Sequence, residues 1–131
     1  MMAKELDFID RLADFIDSYK FPYPLLINTL DTNDSMAIMT LPSGEETVFL
    51  DGTRDKIINI AIDIKASKSV QAYQTLNLLF QLLENVNSLP SQNGSYDFNS
   101  ITTTNAPSMI GKDEHYELWE CTFAFDLTIY N

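Results

Sequence analysis

The sequence predicts an α+β domain, a mixed, mostly antiparallel sheet of about four to six strands with two main helices packed against it. Two stretches alternate apolar and polar residues at the period of a strand, 57–66 and 116–130. Two others, 3–19 and 69–87, repeat apolar residues at spacings of three and four, the period of a helix. The 131 residues fit one domain, 1–131, with one core, and nothing in their composition divides them.

In the first helix Leu6, Ile9, Leu12, Ala13, Ile16 and Tyr19 form the apolar stripe, widened by Phe8 and Phe15. Glu5, Asp7, Asp10, Asp14 and Asp17 hold the other side, among Lys4 and Arg11. Asp7 and Arg11 stand four apart, at ion-pair spacing. Pro22 and Pro24 end this helix. The aromatics beside them, Tyr19, Phe21 and Tyr23, either anchor a partner or pack the helix end on the sheet.

Leu25–Leu30 suits a short strand. Met36–Leu41 and Glu46–Leu50 read as two strands joined by a hairpin connection at Pro42-Ser43-Gly44-Glu45, and Asp51–Asp55 reads as a loop. In the central strand Ile58, Ile60, Ile62 and Ile64 share one face, and Asn59, Ala61, Asp63 and Lys65 the other. Ser67 or Ser69 is the expected N-cap of the second helix. That helix has a mainly amide polar side (Gln71, Gln74, Asn77, Gln81, Asn85), a solvated face or a subunit contact. Asn93-Gly94 marks a turn, 96–104 an extended stretch broken by Asn105-Ala106-Pro107, and 106–114 a loop. The final strand places Trp119, Cys121, Phe123, Phe125, Leu127 and Ile129 on one face, and its length suggests that one end projects to pair with a neighbour.

The net charge of −11 argues against phosphate binding and against sequence-specific nucleic-acid recognition, which need clustered Lys and Arg. The acid excess serves solubility, or a basic partner, DNA mimicry or a negatively charged pore wall. The acidic start does not read as a signal peptide, and no apolar run approaches the ~20 residues of a membrane span. The expectation is a chain made in the cytoplasm with no membrane contact.

No catalytic, metal or cofactor site is expected. The single cysteine, Cys121, faces the core, six residues from the single histidine, His115. The glycines are scattered as turn residues, without a phosphate loop. Asp31–Ser35 resembles the start of a calcium loop, but Met36 and Pro42 stand where Gly and Glu are required. Asp63 and Asp126 lie on the polar faces of two strands and would raise each other's pKa if those strands were neighbours.

Phe49–Asp55, the isoleucine strand, Lys65-Ala66-Ser67-Lys68-Ser69 leading into a helix, Asn93–Phe98 and an aromatic final strand together resemble minor capsid proteins of tailed phages and prophages of Gram-positive bacteria. The resemblance covers roughly residues 40–131 and is similar in kind to tail terminator or tail-completion proteins. It implies a structural, non-enzymatic virion protein that forms a ring with copies of itself, commonly a hexamer. Such a ring caps the tail tube and docks the head connector. It would assemble in the host cytoplasm and end in the virion. The candidate subunit interface is Asp51, Gly52, Thr53, Arg54 and Asp55 with Lys112, Asp113, Glu114 and His115. The competing reading is a small acidic binding protein such as a DNA mimic, for which the acids, densest on the first helix, are poorly laid out. An enzyme is a third reading, one that a bound metal would revive.

Overall fold

The computed structural model describes residues 5–42, 44–67 and 69–130, with only the backbone of Ser69. The elements run α1 (Phe8–Asp17), β1 (Leu25–Ile27), β2 (Ser35–Thr40), β3 (Glu46–Val48), β4 (Arg54–Ala66), α2 (Ser69–Glu84), β5 (Tyr96–Lys112) and β6 (Glu117–Ile129). One sheet takes them in the order β1-β2-β4-β6-β5, with β3 also on β4. All pairs are antiparallel except β1 with β2. The protein is therefore α+β.

β4 and β6 form the spine of the sheet. Their register is unbroken from Arg54 opposite Ile129 to Ala66 opposite Glu117. Because side chains alternate, one face collects Ile60, Ile62, Ile64, Cys121, Phe123 and Phe125, all fully buried. Phe8, Leu12 and Ile16 of α1 and Ala72, Leu76, Leu79 and Leu83 of α2 join the same core. Phe8 sets its ring edge-on to Phe125 at 4.9 Å and to Tyr96 at 5.7 Å. Tyr23 is buried and Phe21 packs on the core, so this aromatic segment seats the end of α1.

Several boundaries differ from the sequence reading. α1 begins at Phe8 rather than near residue 3, and Ala3 and Lys4 fall outside the described residues. Asp7 turns its carboxylate onto the turn before β5, accepting from the Ser91 hydroxyl at 2.7 Å and the Gln92 N–H at 2.9 Å. It stands only 3.9 Å from Arg11, whose shorter ion pair is with Asp14 at 2.7 Å. Ser67 commits its N–H and hydroxyl to Asp34. Lys68 and the Ser69 side chain lie outside the described residues.

β2 and β3 do not pair with each other. Both lie along the same edge of β4, β2 on Ile60–Lys65 and β3 on Arg54–Lys56. The connection between them, of which Ser43 is not described, stays on that edge: the Gly44 N–H donates to Ile57 O and the Ile57 N–H to Glu45 O. The true hairpin joins β3 to β4 through a turn at 49–53, and Arg54 and Asp55 belong to β4 rather than to a loop.

β5 continues through Asn105-Ala106-Pro107 to Lys112, with register shifts. It lies at the sheet edge, where a proline's missing donor is tolerated. Asn105 holds the ladder by donating its side-chain N–H to the Thr122 hydroxyl at 2.9 Å. β6, by contrast, is central and paired on both sides, so no end of it projects for a neighbour.

Candidate assembly interface

Antiparallel pairing decides where the candidate interface residues stand. The β3–β4 hairpin lies at the Arg54–Ile129 end of the sheet, and the β5–β6 turn lies at the Ala66–Glu117 end. With a rise of about 3.3 Å per residue, the thirteen residues of β4 separate these ends by roughly 40 Å. The two groups named from the sequence do not form one site. They mark opposite ends of the molecule.

At the first end the turn is tightly tied. The Phe49 N–H donates to Thr53 O and the Gly52 N–H to Phe49 O, with Gly52 in the left-handed region at φ 91°. The Asp51 carboxylate accepts from the Thr53 N–H at 3.0 Å and the Thr53 hydroxyl at 2.8 Å. Those bonds hold its pKa below the ordinary value. Arg54 pairs with Glu46 at 2.9 Å, and Asp55 accepts from the Thr128 hydroxyl at 2.7 Å. The sequence reading of this segment as strand does not reveal how exposed its apolar side chains are. Val48 is 65% exposed, Phe49 45%, and Leu50 is wholly exposed.

At the other end Asp113 closes the turn, accepting from the N–H groups of His115 at 2.8 Å and Tyr116 at 2.7 Å. These bonds keep its carboxyl below the usual range. Glu114 and His115 are exposed, and Lys112 ends β5. Beside this turn a groove of about 440 Å³ opens, walled by Leu30, Gly111, Tyr116 and Leu118 and bordered by Lys65 and Lys112. Lys65 lies over the Tyr116 ring at 4.5 Å and donates to the carbonyls of Asp31 and Thr32.

The helix-free face of the sheet is acidic. Asp55, Asp63, Asp97, Glu120 and Asp126 share it, as the pairings Asp55–Thr128–Asp97 and Asp63–Glu120 show. The carboxylate partner of Asp63 is thus Glu120, not Asp126, which stands opposite Ile57 and Ser100. Asp63 is only 7% exposed. Burial, then a hydrogen bond with Glu120 and its charge, push the Asp63 carboxyl up to about 8.

Cys121 is buried in the core, and burial followed by the charges of Asp63 and Glu120 pushes its thiol up to about 12. It stays a protonated core residue at neutral pH. In the Asp31–Ser35 turn the carboxylates are spent on hydrogen bonds within the protein, Asp31 on its neighbour Thr32 and Asp34 on Ser67 just after β4. Among the described residues no group of three His, Cys, Asp or Glu is arranged to hold a metal ion. No described helix is long and apolar enough to cross a membrane.

The sheet thus carries an exposed apolar hairpin tip at one end, a groove at the other and an acidic helix-free face. The profile of the bacteriophage tail terminator proteins matches residues 15–131, and the chain belongs to that family. The match extends further toward the N-terminus than the resemblance read from residue 40 onward. The family is a structural one, so the chain is a component of the phage tail and hence of the virion, where it meets other tail proteins. No curated protein matches the chain.

Proposed function

We propose that the protein closes the tail tube as a ring of its own copies, hexameric once assembled, and presents the surface on which the head connector docks. Assembly takes place in the host cytoplasm, and the ring remains at the head–tail junction. The observation that carries this reading is the tail terminator profile over residues 15–131. Surfaces at opposite ends of one rigid sheet support it, since a ring needs two different contact faces per subunit. The acidic helix-free face supports a further feature, a conduit wall that repels phosphate and lets DNA slide.

Immunogold electron microscopy of phage particles tests the reading. Label at the head–tail junction is the expected result. Unlabelled intact particles, with the epitope shown to be accessible, would contradict it. Charge reversal at Asp97 and Asp126 should lower infectivity through impaired DNA passage; normal infectivity would remove the conduit-wall role.

A further inference from the structure

We propose that Lys65 is a switch that couples the Asp63–Glu120 pair to the groove. It braces the 31–32 loop and Tyr116 while the pair shares a proton, and it turns to the pair when that proton leaves.

The pair sits where a second negative charge is hard to hold. Asp63 is almost wholly buried, and its Oδ1 has no donor among the described residues. The groups packed around it on the same face supply no fixed positive charge. On β2, Ala37 stands opposite Asp63, between Ser35 and Met39. On β6, Leu118 and Thr122 flank Glu120, and on β5, Ser108 stands opposite it. On β4 the neighbours are Ala61 and Lys65. The other acids of the face, Asp55, Asp97 and Asp126, stand toward the Arg54–Ile129 end. Cys121, on the core side of β6, feels both carboxylates and stays a neutral thiol.

Lys65 is placed to answer that charge. It stands opposite Leu118 and so lies diagonal to Glu120, a relation of roughly 7–8 Å that a long side chain spans. Its ammonium points elsewhere. It lies over the Tyr116 ring at 4.5 Å and donates to Asp31 O and Thr32 O at 3.3 Å each. These partners are neutral and the bonds are long. One carboxylate, Asp113, also feels the Lys65 charge, but it is already held ionised by the N–H groups of His115 and Tyr116.

With one proton shared, the pair carries a single negative charge and Lys65 remains on the groove. Loss of the proton leaves two negative charges in a nearly dry site, a cost that an adjacent cation offsets. Burial and the Glu120 charge set this change at about 8. As Lys65 turns, β4 loses its side-chain ties to the 31–32 loop and to Tyr116, and that wall of the groove loosens.

NMR of the intact protein between pH 6 and pH 9 tests the coupling. It follows the Asp63 carboxyl carbon together with the backbone amides of Asp31, Thr32 and Tyr116. The expected result is that carboxyl and amides shift together, with one midpoint near 8. In Asp63→Asn the amide transition at that midpoint disappears. In Lys65→Met the Asp63 carboxyl still titrates, and the amides no longer follow it. A wild-type carboxyl that titrates while the amides stay still overturns the proposal. So does an amide transition that survives Asp63→Asn, or an Asp63 carboxyl that does not titrate in this range. The wild-type titration alone decides the matter should a variant fail to fold.

Discussion

Asp63 of β4 stands directly across the ladder from Glu120 of β6 on the helix-free face, and Asp63 Oδ1 is buried without a donor from the other described residues. Two carboxyls this close cannot both ionise cheaply, so the pair holds a proton at neutral pH. The folded-state pKa of Asp63 is raised above its unfolded value of 3.8 to about 8. Between those values the folded chain keeps a proton that the unfolded chain releases. Stability therefore falls as pH rises through that window and levels off above it. Asp63→Asn should raise the melting temperature at pH 8 by a few degrees and flatten the pH profile between pH 5 and 8. An unchanged slope would show that the pair is not the cause.

Asp7 ties the start of α1 to the 91–95 turn. Burial opposes its charge, but hydrogen bonds from the Ser91 hydroxyl, Gln92 N–H, Ser95 hydroxyl and Asn93 N–H outweigh it and lower its pKa. Asp7→Ala should cost about 2–3 kcal/mol, the scale of losing hydrogen bonds to a charged group. This contribution is present above the unfolded carboxyl pKa and is lost as pH falls through the lowered folded value. Urea denaturation at pH 7 and at pH 3 measures both, and the gap between variant and wild type should narrow at pH 3.

Gly44 shows why β2 and β3 run in line along β4. A Cβ there would lie 3.0 Å from Ile57 Cβ and 3.1 Å from its Cγ2, and the Gly44 N–H to Ile57 O bond keeps the chain close. Gly44→Ala should destabilise by about 1–3 kcal/mol, as overpacking does. A melting temperature equal to wild type would mean that this connection moves aside freely.

Phe8 joins α1 to the sheet through Phe125 and Tyr96. Phe8→Ala should cost about 3–5 kcal/mol in chemical denaturation. A loss below 1 kcal/mol would show α1 to be dispensable for the core.

Much of this architecture is legible in the sequence. The isoleucines of β4 and the aromatics of β6 announce two strands and their buried faces, because large apolar residues recur there at every second position. The far half of β5 is not legible. Thr103 to Ser108 carries little apolar signal and includes a proline, and the register shifts spoil its alternation. Pro42-Ser43-Gly44-Glu45 has turn chemistry and so reads as a hairpin, whereas Gly44 and Glu45 stay hydrogen-bonded to Ile57 of β4. That the two groups 51–55 and 112–115 stand at opposite ends depends on strand order, which their own composition does not encode. The partner of Asp63 depends on register, which no local pattern encodes. The exposed tip Val48–Leu50 reads as ordinary strand until the turn at Asp51-Gly52 is seen to leave it uncovered.

The central claim is that this protein ends the tail polymer. Electron microscopy of tails from a phage lacking its gene tests that claim most directly. The account predicts tails of irregular, excessive length that do not join heads, restored to uniform length by the wild-type gene. Tails of normal, uniform length joined to heads in its absence would contradict it.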